Sequence, residues 1–325
     1  MLILSVIVLV QILLLYNIKK LSNFLGIYDL PDNKRKKHSL PTPLFGGFLI
    51  LLPITLFIIN SEVLEINDGS LRYYFSFIIL IILVSILGFL DDKLNINNKK
   101  RIILLISIVL GITLLSPSIF VMEKIKFSFY ENDINTYYLK MFLFPVGFIL
   151  LSTILNLIDG ENGILLTFFL VLIVIFNNSY LDIINLLMII SILLTLILNL
   201  KNKLFMGSLG VHLISLYLAV LILNQNYQKE MLIDEIFIIF ILPLVDAAYL
   251  FFYRSLNKDS PFKPDENHFH HNIIKKISFI NKDNCFLFYN LFALIPYVCL
   301  IIFDNILISI MFFITYYLSI RFKNK

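Results

Sequence analysis

Apolar residues fall along this chain in long unbroken runs rather than in alternating or amphipathic patterns. The runs lie near 2–17, 44–60, 71–90, 102–121, 141–158, 163–178, 181–200, 209–224, 235–252, 285–303 and 305–320. About twenty apolar residues in a helix span a bilayer core of about 30 Å, and a helix satisfies its own backbone there. The pattern predicts an all-α, polytopic helical membrane protein of about eleven transmembrane helices. No repeat, linker or soluble segment interrupts it, so residues 1–325 read as one membrane domain.

Composition agrees with this pattern. Of 325 residues 59% are hydrophobic and 15% charged, and the mean hydropathy is +0.90. Those values exclude an ordinary soluble domain. Taking the loops alternately, one set holds 21 of the 26 Lys and Arg residues and the other holds Arg72, Lys124, Lys126, Lys140 and Lys229. The positive-inside rule then puts the N-terminus outside and the C-terminus in the cytoplasm. The opening MLILSVIVLV lacks a basic flank and a small-residue cleavage site, so it reads as a first span and not a signal peptide. Cys285 and Cys299 share one apolar run and imply neither a disulfide framework nor a zinc site. A net charge of +4 needs nothing further: the basic residues orient the protein and can meet anionic lipid or phosphate, and no nucleic-acid partner is implied.

The unusual polar residues all fall in the basic set of loops. Asp91 and Asp92 end the 71–90 run, at the negative end of a helix dipole where acids are disfavoured. A metal site or a positioned base explains them, as does a solvated end neutralised by Lys93, Lys99, Lys100 and Arg101. The first basic loop carries Lys34-Arg35-Lys36-Lys37-His38, then Pro41-Thr42-Pro43 and Gly46-Gly47. Cations and His suit a diphosphate, although a topology-setting patch is the simpler reading of that loop alone. Asn156 and Asp159, spaced i, i+3, share one helix face; turn or capping chemistry accounts for them equally. The segment Asn199 to His212 holds Gly207-Ser208-Leu209-Gly210, either a phosphate-binding helix start or close helix packing. His268, His270 and His271 cluster within four residues, too tightly for accident, and suit phosphate binding or proton transfer. Asp246, inside an apolar run, must be paired or line a wet cavity. The second loop of the other set, near 122–140, has the pattern of a short hairpin.

Taken in order, five motifs resemble those of the polyprenyl-phosphate N-acetylhexosamine-1-phosphate transferases, the family that also holds phospho-N-acetylmuramoyl-pentapeptide transferase. They are Asp91-Asp92, His38-x-x-Pro41-x-Pro43-x-x-Gly46-Gly47, Asn156-Leu-Ile-Asp159-Gly160, Phe205-Met-Gly-Ser208-Leu-Gly210 and Pro261-Phe-Lys-Pro-Asp265-x-x-His268-x-His270-His271. The resemblance implies transfer of a sugar-1-phosphate from a UDP-sugar to undecaprenyl phosphate, with release of UMP, as the first membrane step of a cell-envelope glycan. It implies Mg²⁺, with Mn²⁺ as the alternative, held by Asp91 and Asp92, which with Asp159 form the catalytic set. Asn156, Lys37, His38, Asn199, His268, His270 and His271 become the substrate-binding set. The location implied is the bacterial inner membrane with the active site on the cytoplasmic face, and a homodimer is compatible with it.

Two positions depart from the family pattern. Asn162 stands where many members have a second Asp, and Ser208 stands where the family has an acidic metal ligand. A hydroxyl holds Mg²⁺ far less strongly than a carboxylate. Ser208 therefore motivates a second reading, an impaired relative that binds lipid phosphate or sugar nucleotide as a partner or regulator. An ion transporter is disfavoured, because it would keep its polar residues at mid-membrane.

Overall fold

The structure, a computed structural model, describes residues 2–31, 40–59, 71–116, 122, 124–136, 139–176, 183–228, 232–258, 260 and 267–322. Among the described residues, every apolar run contains a helix. The helices are α1 (Leu2–Tyr16), α2 (Ile18–Leu25), α3 (Gly46–Ile59), α4 (Leu71–Leu94), α5 (Asn98–Leu115), α6 (Lys140–Ile158) and α7 (Ile164–Phe176). They continue as α8 (Ile183–Leu200), α9 (Gly207–Gln228), α10 (Ile233–Ile239), α11 (Ile241–Leu256), α12 (Phe269–Lys276), α13 (Cys285–Phe303) and α14 (Ile306–Phe322). Among the described residues four helices are long and apolar enough to cross a membrane, or six if the bent pairs α1–α2 and α10–α11 each count as one span.

Helix α9 is the axis of the bundle. It is apolar on every side and buried from Leu209 to Leu221, as a helix ringed by others must be. Helices α3, α4, α6 and α7 pack around it. Close approach is built from glycines: a Cβ on Gly47 would meet the Gly210 nitrogen at 2.5 Å, and one on Gly88 would meet the Leu209 Cα at 2.5 Å. The Gly-Gly of the first loop thus serves helix packing.

The outer helices turn apolar side chains outward as well as inward. On α4, Phe77, Leu80, Ile81, Val84 and Leu87 are buried, while Phe75, Ile79, Ile82, Ile86 and Leu90 form an exposed stripe at helical spacing. In water such a stripe is a liability; against lipid tails it is the ordinary solvent-facing surface.

Two small sheets sit at the ends of this bundle. Strand β1 (Tyr28–Asp29) pairs antiparallel with β2 (Thr42–Pro43). The next residue, Leu44, bridges in parallel to Phe205, and the Phe205 N–H donates to the Pro43 carbonyl at 2.9 Å. This stitching fixes the segment that leads into α9. The expected hairpin is present as β3 (Lys124–Phe127) and β4 (Tyr130–Asn135). It is more than a solvated connector, because the Ser128 N–H donates to Asp234 of α10 at 3.1 Å.

Candidate active site at one end of the bundle

The last turn of α4 meets the first turn of α9. Asp92 accepts the Ser208 N–H at 2.6 Å and the Leu209 N–H at 3.2 Å, so it caps α9 from another helix. The acid disfavoured by the dipole of α4 is compensated by the positive end of α9, where the orphan N–H groups point. Gly207 makes this possible: its φ is +72°, and a Cβ there would lie 2.6 Å from Asp92 Oδ2. Of the two readings of this helix start, close packing is what its glycines serve, and the anion on its N–H groups is the chain's own Asp92.

Asp91 points to a different partner. Its Oδ2 accepts from Arg101 Nη1 at 2.8 Å and from Ser208 Oγ at 2.5 Å. The neutralising role of Arg101, expected for a plain helix end, is thus present inside the candidate site. One turn into α9, His212 Nδ1 lies 2.7 Å from Ser152 Oγ of α6, and both are buried.

Asp159 ends α6 beside this pair. Its carboxyl is pushed up to about 8, first by burial and then by the Asp92 charge. No hydrogen-bond donor or cation among the described residues engages it, and the same holds for the Asn156 amide one turn earlier. Glu161, two residues on, is engaged by His271 Nδ1 at 3.6 Å and Lys282 Nζ at 3.4 Å.

The histidines close the site from the other side. A Cβ on Gly160 would lie 2.8 Å from His270 Nε2, so the ring packs on that glycine. His270 is buried, its Nε2 has no hydrogen-bond partner among the described residues, and it stacks on His268 with centroids 5.6 Å apart. Burial, then His271 and His268, hold its pKa well below the ordinary value. Asp246 is paired, as its buried position required: His268 Nδ1 lies at 3.2 Å and Arg321 Nη1 at 3.3 Å.

Asn199 is near the site but engaged in scaffold bonds. It accepts the Gly163 N–H at 2.7 Å and donates to the Leu204 carbonyl at 3.1 Å, tying the Asp159 loop to the entry of α9. Asn162 donates to the Asn202 side chain at 2.8 Å. Lys37 and His38 lie outside the described residues, as do Pro261 to Asp265. Nothing in the chain's pattern singles out the parts played by Glu161 and Arg321, because single charges at a loop and at a helix end are common.

Two comparisons bear on this site. Residues 74–226, which include Asp91, Asp92, Asn156, Asp159 and Ser208, match the family model described as glycosyl transferase family 4. The chain is 26% identical over 272 residues to a probable undecaprenyl-phosphate N-acetylglucosaminyl 1-phosphate transferase of Bacillus subtilis, covering 79% of this chain and 72% of that protein. It is 25% identical over 278 residues to an undecaprenyl-phosphate alpha-N-acetylglucosaminyl 1-phosphate transferase of Yersinia pestis, covering 80% and 73%. To the protein of that name from Escherichia coli K12 it is 26% identical over 283 residues, covering 81% and 73%. These matches bear out the resemblance read from the loops: the chain is similar to the membrane transferases of glycosyl transferase family 4.

Proposed function

We propose that this chain transfers a sugar-1-phosphate, an N-acetylhexosamine-1-phosphate, from a UDP-sugar to undecaprenyl phosphate and releases UMP. The observation that carries this reading is the meeting of Asp91–Asp92, Asn156–Asp159 and His268–His271 at one end of the bundle. An oxygen of the lipid phosphate attacks the sugar-bearing phosphorus; the bond to the UMP phosphate breaks and UMP leaves with the electron pair. The histidines face the diphosphate as hydrogen-bond donors, with the unpartnered Nε2 of His270 available to it. Asn156 and Asp159 line the nucleotide side, and Lys37 and His38 complete the anion-binding set.

The hard carboxylate oxygens of Asp91, Asp92 and Asp159 are of the kind that Mg²⁺, or Mn²⁺ in its place, takes alongside phosphates; among the described residues no three such side chains converge as a ready-made metal site, so substrate phosphates would supply much of the ion's shell. Asp91 and Asp92 would hold it, with Asp159 next to them. When bound, the ion would neutralise the charge that builds as the diphosphate bond breaks. In the same reading this end faces the cytoplasm of a bacterial inner membrane. Eleven spans then put the N-terminus outside and the C-terminus inside, as the 21 basic residues on one set of loops support.

A second reading is favoured by one feature, the Asp91 carboxylate already compensated by Arg101 and Ser208. Under it the chain binds lipid phosphate or sugar nucleotide without turnover. The separating experiment measures UMP release by purified protein from UDP-N-acetylhexosamines with undecaprenyl phosphate and Mg²⁺. Release by the wild type supports the transferase; no release by the wild type, with release by Ser208→Asp, overturns it.

A further inference from the structure

The histidine segment does not hold its own position. Helix α12 has only eight residues; Phe269 and Ile273 anchor its apolar side, and its start is fixed from outside by Asp246 of α11. Asp246 Oδ2 accepts the Phe269 N–H at 3.1 Å and lies 3.2 Å from His268 Nδ1. Its other oxygen faces Arg321 Nη1 at 3.3 Å. Arg321, in the last turn of α14, also donates to the Asn267 carbonyl at 2.6 Å and lies 4.1 Å over the Tyr249 ring. Lys276, the last residue of α12, returns the contact by donating to the Arg321 carbonyl at 2.6 Å. Asp246 is 5% exposed and Arg321 8%. A buried acid and a buried guanidinium persist only where each satisfies the other. Here they do so across both ends of the one short helix that carries His270 and His271.

We propose that Arg321 and Asp246 form a latch by which the C-terminal helix positions His268 and His270 against Gly160 and the Asp159 loop. They are positioning residues: they act through the histidines and touch no reacting atom. The planar fork of arginine is what allows one side chain to serve the Asp246 carboxylate and the Asn267 carbonyl together. The functional part of this inference rests on the transferase reading; the structural part does not.

The test therefore has two arms. In the first, full-length protein in detergent micelles is treated with diethylpyrocarbonate, and modification of each histidine is followed by mass spectrometry. Arg321→Gln is expected to raise the rate at His268 at least fivefold while His212, buried between α6 and α9, stays unchanged. If His212 is exposed too, that variant has lost its fold, and Arg321→Lys, which keeps the charge without the fork, decides instead. An unchanged His268 rate in a folded variant overturns the latch whether or not the protein turns over. In the second arm, UMP release by Arg321→Gln is expected to fall at least tenfold, with only partial recovery in Arg321→Lys, which keeps the charge but not the fork. Full activity in the glutamine variant overturns the positioning role.

Discussion

Ser208 is the position at which this chain can be made to declare its electrostatics. Its hydroxyl donates to Asp91 Oδ2 at 2.5 Å while its N–H donates to Asp92 at 2.6 Å. Ser208→Asp would replace a donor by a third carboxylate at the same spot. Two things follow. A hydrogen bond to a charged group, of about 1.5–3 kcal/mol, is lost. A like charge about 4 Å from Asp91 adds about 4 kcal/mol of repulsion at an effective dielectric of about 20. Arg101, already on Asp91, offsets part of this. The net expectation is a loss of roughly 3–5 kcal/mol in the absence of a divalent cation, from those two magnitudes less that offset.

The chain has no Trp, so thermal unfolding is followed with a thiol-reactive dye that reports exposure of the buried Cys285. In EDTA, Ser208→Asp should melt several degrees below wild type. Added Mg²⁺ should restore most of the difference in the variant and shift the wild type much less. Ser208→Ala, which loses only the hydrogen bond, should fall between them and show no added response to Mg²⁺. A Ser208→Asp protein as stable as wild type in EDTA would refute the arrangement of Asp91, Arg101 and Ser208 described above.

Asp91→Asn and Asp92→Asn should each lower UMP release at least about 100-fold, as loss of a preorganised charge does in other enzymes, while membrane insertion, judged by fractionation, is unchanged; normal turnover in both would remove the carboxylate pair from the chemistry. Gly160→Ala places a Cβ 2.8 Å from His270 Nε2 at an exposed position, so activity should fall severalfold with little change in melting temperature. The pH dependence of stability carries a sign. His270 is held neutral in the folded protein, with its pKa well below the ordinary value, whereas the unfolded chain takes up that proton near about pH 6.5. Stability is thus complete above that pH and falls below it, by at most about 1.4 kcal/mol per pH unit. Melting curves from about pH 7.5 to 5 should be flatter in His270→Gln, and an equal slope in the two proteins would disprove this source.

Chemistry that depends on residue type and local spacing was legible in the sequence. The helices follow from the apolar runs, the hairpin from its polar loop, and the need for a partner at Asp246 from its apolar surroundings. What was not legible is pairing across the fold. Asp92 caps a helix 116 residues away in sequence, and nothing in Asp-Asp says which N–H groups it will meet. The Gly-x-x-Gly run at 207–210 reads equally as a phosphate cradle or as close helix packing; the packing is present, and Asp92 is the anion on the helix start. Arg321 and Asp246 are 75 residues apart, and a single cation at the end of a last helix is ordinarily read as a lipid-facing anchor.

Asp91, Asp92, Asp159 and Glu161 gather at this end of the bundle, and they are not equivalent. Asp92 is satisfied by the start of α9, Asp91 by Arg101 and Ser208, and Glu161 by His271 and Lys282. Asp159 has the Asp92 charge as its electrostatic neighbour and no donor among the described residues. A carboxyl in that position favours its protonated form until a cation arrives, and a cation placed there relieves both burial and repulsion at once. Added positive charge therefore gains more beside Asp159 than beside Asp91, where Arg101 repels it. A hydroxyl at Ser208 fits that asymmetry: it puts no third negative group on the side that already carries its own cation, and it leaves the Asp92–Asp159 side as the one with charge still to be met.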